Sequence, residues 1–363
     1  PHPQQHAPSH TERMASPEAP ATGIGVTIGT HSGAFQADEA LGVWLLRRLP
    51  KFRDAPLTRS RDPKVLEPLT IVIDVAGVYD HGLLRYDHHQ RGFFETFDGE
   101  VGKASGPDSA TGRFKTKLSA SGLVYKHYGR EILCMLHPEL SDKTADLEYV
   151  YLKLYVDFME AIDGNDNGIE IADTTRYKEL TSLPHRVHRL NKRWNAPADG
   201  PSEDERFLQA SALCGDEFAA ALEYIVNCEL PARTLVEEAL LARHKTHESG
   251  EVMSLPNSGC PWKEPLYELE RAHGVTTPVK FVLYMDTAGM WRVQAVTVEG
   301  TDFTNRLGLA EPWRGLRDQA LVDASGIAGA KFVHASGFIG GNETFEGALQ
   351  MALQTIALAS NPK

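Results

Sequence analysis

Short β-branched runs alternate along the chain with longer stretches of helical apolar spacing, and this alternation predicts its elements. Gly25-Val26-Thr27-Ile28-Gly29-Thr30-His31 predicts a strand ending in a polar turn, and Ala40 to Leu46 predicts a helix beyond that turn. Ile71 to Val75 predicts a second, buried strand. A helix is expected from near Leu118, and another from Tyr149 to Ile162 that runs into the turn-rich Asp163-Gly164-Asn165-Asp166-Asn167-Gly168. Residues 203–245 are strongly helical, and strand signals return from Glu251. Val279 to Met285 and Trp291 to Val296 flank Asp286-Thr287-Ala288-Gly289 and predict a hairpin. Phe345 to Ala359 predicts a closing amphipathic helix, and no internal repeat is visible.

The pattern predicts an α/β chain with a disordered tail at 1–23 and a domain at 24–200 built on a mainly parallel sheet. A helical connector at 201–247 and a smaller α/β domain at 248–363 complete it. The tail is rich in Pro, Ala, Ser and His, without periodicity. It holds one Arg and two Glu, so it lacks the Arg-rich, acid-poor pattern of a mitochondrial presequence. Glu95 to Thr116 is polar and Gly-containing, a second flexible region that reads as a lid or as a surface loop.

Composition narrows the class. A length of 363 residues is enough for two cores. No apolar run approaches the roughly 20 residues that span a membrane. The four Cys lack a C-x-x-C spacing, which predicts reduced structural thiols in an intracellular compartment. A net charge of −12 argues against broad coating of nucleic acid but allows a channel that is basic only locally. The densest basic stretch is His185 to Trp194. One reading is a solvated helix face with Val187, Leu190 and Trp194 turned inward; the other is a basic patch whose aromatic stacks on a base.

The candidate chemistry centres on Tyr86-Asp87-His88-His89-Gln90. A carboxylate followed at once by two imidazoles is costly near a core unless something pairs with it. Together they suit a borderline divalent ion such as manganese or zinc. His31 and Asp38 flank the Gly-containing loop between the first strand and its helix, and Asp74 lies in the next strand region. Such positions lie outside the carboxyl ends of strands, where open α/β sheets bind ligands. Asp163 or Asp166 adds a carboxylate at a helix end; the alternative there is a helix stop with solvated side chains. Two metals about 3.5–4 Å apart need a shared set of this kind.

Thr30-His31-x-Gly33-x-Phe35-x-x-Asp38-Glu39-Ala40, Arg85-Tyr86-Asp87-His88-His89-Gln90-Arg91 and Asp163-x-x-Asp166-Asn167-Gly168 resemble the melanocyte-proliferating-gene (MYG-type) exonuclease family. The likeness continues through Arg189-Leu190-Asn191, Glu311-Pro312-Trp313-Arg314-Gly315-Leu316-Arg317-Asp318 and His334-Ala335-Ser336-Gly337-Phe338-Ile339-Gly340-Gly341, covering about Gly25 to the C-terminus. That family is similar to the DHH phosphoesterases, metal-dependent hydrolases that mostly use manganese. The resemblance implies a two-domain DHH-like fold and a 3′-to-5′ exoribonuclease of mitochondrion and nucleus. It acts on single-stranded RNA 3′ ends with two Mn²⁺ ions, Mg²⁺ being the substitute.

The implied ligands are His31, Asp38, Asp74, His88 and one of Asp163 or Asp166, with Asp74 bridging. His89 and Asp87 are the implied catalytic pair, and His89 faces the phosphate. Arg91, Lys117 and Arg314 are implied phosphate contacts. Gly340, Gly341 and Asn342 are expected in a Gly-rich turn that grips phosphate through backbone amides. Two positions depart from the pattern: Gln36 stands where the family has a ligand His, and Asn342 where related enzymes have His. An amide oxygen is a weaker manganese ligand than imidazole or carboxylate. Hydrolysis of a small phosphoanhydride or dinucleotide, and an inactive RNA-binding scaffold, are the rival readings.

Overall fold

The computed structural model describes residues 25–99, 112–256 and 259–360. The expected tail at 1–23 lies outside them, as does most of the segment from Glu95 to Thr116 expected to be a lid or a surface loop. The chain is α/β with two mixed sheets, and it divides into two compact units between Leu222 and Glu223. Among the described residues no helix is long and apolar enough to cross a membrane.

The first unit holds a five-stranded sheet of order β2-β1-β3-β5-β4. Its strands are β1 (Ile28–Thr30), β2 (Leu57–Arg59), β3 (Ile71–Ile73), β4 (Tyr79–Asp80) and β5 (Arg85–Tyr86). All pairs are parallel except β4 with β5, so an antiparallel edge closes an otherwise parallel sheet. β1 and β3 are buried throughout, as continuous β-branched runs in a parallel sheet should be. Helix α1 (Ala37–Leu46) follows β1, and α2 (Pro63–Leu66) follows β2. Helix α1 packs along α3 (Ala120–Leu136), whose N-cap is Ser119. Helix α4 (Thr144–Leu154) passes through a π-helical turn at Tyr155–Met159 into α5 (Glu160–Asp166). Short α6 (Leu183–His188) precedes the long α7 (Glu203–Tyr224).

Two expectations change here. The described flanks of the predicted lid are core: Phe97 stacks on Tyr155 with centroids 3.6 Å apart, and Phe114 meets the same ring edge-on. Trp194 does not turn inward; it is 97% exposed, whereas Val187 is fully buried. The reason is that α6 ends at His188, so helical periodicity does not extend to residue 194.

The second unit carries α8 (Leu230–Leu241), α9 (Arg243–Thr246), β6 (Val252–Ser254), α10 (Lys263–Ala272), β7 (Phe281–Met285) and β8 (Trp291–Ala295). These are followed by α11 (Asp318–Ser325), β9 (Ala330–Val333), β10 (Ile339–Asn342) and α12 (Phe345–Ser360). The sheet order is β6-β7-β8-β10-β9, with only β6 and β7 parallel. Alternation sends Phe281 and Leu283 to one core with Met351, and Val282 to the other with Leu240 and Leu266. β7 and β8 form the predicted hairpin, turned by Asp286, whose Oδ1 accepts from the amides of Ala288 and Met290.

Gly340, Gly341 and Asn342 are not in a turn. They lie within β10, a central strand, and the turn precedes it. Glycine is needed there for close packing. A Cβ on Gly340 would come 2.9 Å from Met351 Cε and 3.0 Å from the Phe332 carbonyl oxygen. Gly340→Val is therefore expected to lower stability by about 1–3 kcal/mol, as core overpacking does, read as a lower urea midpoint with an unchanged slope. An unchanged midpoint would mean that the strand has room which this packing denies.

Candidate metal centre

Parallel strands point their carboxyl ends to one edge, so residues just past each strand converge there. His31 follows β1, Asp74 follows β3, and Asp87-His88-His89 follows β5. Asp38 and Glu39 stand in the first turn of α1, and Asp166 ends α5. Asp74 has φ +57° and Ala76 φ +86°. Asp enters the left-handed region more readily than most residues. Ala76 carries backbone strain on the order of 1–3 kcal/mol, a feature common at functional sites.

Three groups of candidate ligand atoms overlap, the atoms of each lying within 4.8 Å of one another: Asp74, Asp87, His88 and His89; His31, Glu39 and Asp74; Asp38, His88 and Asp166. Asp74 and His88 each belong to two. His31 Nε2 stands 3.1 Å from Glu39 Oε1 and 3.3 Å from Asp74 Oδ2. His88 Nε2 stands 2.9 Å from Asp166 Oδ2 and 3.4 Å from Asp74 Oδ1. Each ring is held through its other nitrogen. His31 Nδ1 faces the Ser32 carbonyl at 3.3 Å, and His88 Nδ1 faces Asn167 Oδ1 at 3.2 Å, so each can donate there. Asn167 is fixed in turn by donating to the carbonyls of Lys117 and Asp163. Such outer partners set the tautomer and aim the free nitrogen.

Asp74 Oδ1, His88 Nε2 and Asp166 Oδ2 are buried without an aligned hydrogen-bond partner. Native structures rarely leave such atoms orphaned. Carboxylate oxygens of Asp74 and of Asp166 each approach His88 Nε2, and mixed oxygen and imidazole donors of this kind fit a divalent cation. Without one, the imidazoles carry the compensating charge. Burial pulls the His31 pKa down, but its bonds to Asp74 and Glu39 outweigh that and push it to about 10. His88 behaves likewise, reaching about 10 through Asp166 and Asp74. Burial also raises Asp74, yet the two imidazoles hold it below the usual carboxylate range.

Asp38 and Asp163 are tied to the start of α3. Asp38 Oδ1 accepts from Ser121 N at 2.7 Å, and its Oδ2 from Ala120 N at 3.0 Å. Asp163 Oδ1 accepts from Ser119 N at 2.9 Å, and its Oδ2 from Tyr155 Oη at 3.0 Å. Ser119 Oγ has one hydrogen but stands 2.5 Å from Asp38 Oδ1 and 2.7 Å from Asp163 Oδ1. Both contacts are satisfied when one carboxyl is protonated and donates to Oγ. Burial pushes Asp163 up to about 7, and burial together with Asp166 and Asp74 raises Asp38.

The structure brings His31, Asp38, Asp74, Asp87, His88, His89 and Asp166 together in overlapping groups, and Asp163 belongs to none of them. Gln36 is exposed at the N-cap of α1 and lines a cavity of about 380 Å³ with Arg61, Ala76, Asp87 and His89. Its backbone N–H donates to Glu39 Oε1 at 3.0 Å. Lys117 is partly buried, where burial lowers its pKa against the opposing charges of Asp166 and Asp87. Arg91 is exposed and lines a separate pocket with Tyr79 and Phe93. In the second unit Arg314 Nε donates to the Leu309 carbonyl. Asn342 Oδ1 accepts from Thr344 N and its Nδ2 donates to the Ala328 carbonyl, so this side chain is used at the start of α12.

Glu39, Ser119 and Asn167 were not among the expected site residues. Glu39 carried a signal, a second carboxylate beside Asp38, while the others act through contacts far away in sequence.

Fold and centre together define an α/β protein with a buried acidic and His cluster able to hold a metal. Residues 27–356 match the MYG1 exonuclease family, described as Uncharacterised protein family (UPF0160), and the chain belongs to that family. It is 45% identical over 334 residues to the MYG1 protein of Dictyostelium discoideum, covering 91% of this chain and 96% of that one. It is 47% identical over 338 residues to the MYG1 exonuclease of Bos taurus, covering 92% and 86%. With the MYG1 exonuclease of Homo sapiens it shares 46% over 336 residues, again 92% and 86%.

Asp166→Asn should weaken manganese binding by at least about tenfold with little loss of stability. Asp163→Asn should cost about 1–3 kcal/mol of stability through its buried donors while leaving metal affinity nearly unchanged. Metal titration and urea unfolding of both variants check this; a larger loss of affinity in Asp163→Asn reverses the assignment.

Proposed function

We propose that the chain is a metal-dependent nuclease, in finer terms a 3′-to-5′ exoribonuclease that hydrolyses RNA phosphodiester bonds with manganese at the centre. The observation that carries this reading is the set of overlapping buried ligand groups around Asp74 and His88 beside a cavity rimmed by Arg61 and His89. Membership of a family with relatives named MYG1 exonuclease supports nuclease chemistry. Further proposals accompany it: a DHH-like division of labour in which the C-terminal unit binds substrate, and residence in mitochondrion and nucleus.

A divalent ion held by His31, Asp38, Asp74, His88 and Asp166 would supply Lewis acidity toward the phosphoryl group and make water more acidic. The side chains do the rest. Asp87 Oδ1 lies 2.9 Å from His89 Nδ1 and accepts the proton there, which leaves His89 Nε2 to exchange a proton with a reacting oxygen. The His89 side chain is 61% exposed, so substrate can reach it. Arg61 uses Nε for the Ser32 carbonyl, leaving Nη1 for a phosphate oxygen. Lys117 and Arg91 add positive charge for the flanking phosphates.

Single-stranded RNA labelled at its 5′ end should shorten stepwise from the 3′ end with manganese, more slowly with magnesium, and not at all in excess chelator. Circular RNA should resist. Cleavage of the circle, or undiminished activity in chelator, contradicts the reading; turnover of pyrophosphate alone would favour a small-molecule hydrolase.

Gln36 bears on the rate. Gln36→His adds an imidazole at the cavity rim and should tighten manganese binding. If the absent ligand forfeits about 3–4 kcal/mol of transition-state stabilisation, the rate should rise roughly 10²- to 10³-fold. Equal metal affinity and equal rate in parent and variant would place residue 36 outside the metal's reach.

A further inference from the structure

The far end of α1 carries a second concentration of charge that the metal centre does not use. Arg47 and Arg48 close that helix, Arg53 follows six residues after Arg47, and all three line one cavity of about 230 Å³ with Met135 and Leu136 from the end of α3. Ten residues at 1.5 Å each separate it from the carboxylates at the start of α1 by about 15 Å along the helix axis.

Three features distinguish this cavity from a solvated basic surface. The Nε atoms of Arg47 and Arg48 are buried and have no hydrogen-bond partner among the described residues. No ion pair between any of the three guanidiniums and a carboxylate is found among those residues, although the chain carries 49 Asp and Glu against 37 Lys and Arg. The Arg48 guanidinium is also pinned, lying 4.3 Å from the centroid of the Trp44 ring, so part of its ordering cost is already met. Burial lowers the Arg48 pKa, and repulsion from Arg53 and Arg47 lowers it further. Three like charges held together without a counter-charge are unfavourable until an anion joins them.

From this geometry we infer a binding site for a phosphate group, formed by Arg47, Arg48 and Arg53 and separate from the metal centre. The volume lies below the roughly 300–1,000 Å³ of pockets that enclose a whole small molecule, so it fits one phosphate rather than a nucleoside. Guanidinium forks match the several oxygens and multiple charge of phosphate; a single carboxylate would occupy one fork and leave the others uncompensated. Free inorganic phosphate and a phosphodiester of an RNA chain share this chemistry. The inference does not depend on the nuclease reading.

The test is calorimetric titration of the full chain, without added metal, by inorganic phosphate, pyrophosphate and a five-nucleotide single-stranded RNA, each repeated on Arg53→Gln and Arg48→Gln. Saturable binding is expected in the parent and should weaken at least about tenfold in either variant. Asp74→Asn should leave it intact, and Arg53→Gln should keep the parent's manganese affinity. Arg53 is exposed, so its variant stays informative if Arg48→Gln fails to fold. Binding of the two inorganic ions with this dependence supports the site and assigns it to a free anion; binding of RNA alone with the same dependence supports it and assigns it to the polymer backbone. No saturable binding in the parent, or equal affinity in parent and Arg53→Gln, overturns it.

Discussion

Burying acid is the constraint on which the first unit depends. Asp38, Glu39, Asp74, Asp87 and Asp163 are all nearly inaccessible to solvent. An ionised carboxylate in such a place is costly unless donors, opposite charge or a proton compensate it. The structure uses all three. The first amides of α3 and the Ser119 hydroxyl serve Asp38 and Asp163, the two imidazoles serve Asp74 and Glu39, and burial raises the Asp163 carboxyl to about 7, where it takes up a proton readily. Even Gly122 follows from this arrangement, because a Cβ there would stand 2.1 Å from Asp163 Oδ1.

Compensation by His and helix ends positions the chemistry as a consequence. Helices α1 and α3 begin at the acid cluster, so their packing fixes Asp38 against Ser119, while Asp74 and Asp166 face His88. A metal bound there would replace protons on His31 and His88, coupling metal affinity to pH and to folding stability. The same helices end at the three arginines, which places an unpaired cationic cavity on the scaffold that carries the acidic one.

Much of this was legible from residue order. Strands rich in β-branched residues, a helical run after a Gly-containing loop and an Asp-His-His soon after the second buried strand point to one sheet edge, because parallel topology leaves little choice. The hairpin at Asp286 was equally plain from turn chemistry. Elsewhere local pattern misled. Gly340 and Gly341 look like a turn, yet a central strand uses glycine to let Met351 and Phe332 approach. Asp163 and Asp166 lie one helical turn apart, and only the distant Ser119 and Tyr155 reveal which of them is already bonded. Trp194 seemed a continuation of helical spacing because nothing local announces that α6 stops at His188.

The cation proposed for the buried cluster has His88, Asp74 and Asp166 among its ligands. Crystals grown with manganese and measured for its anomalous scattering test this directly. A strong anomalous peak bonded to His88 Nε2 and to carboxylate oxygens of Asp74 and Asp166 is expected. An ordered cluster with no peak there at saturating manganese, or a peak only at some other group of residues, would contradict it.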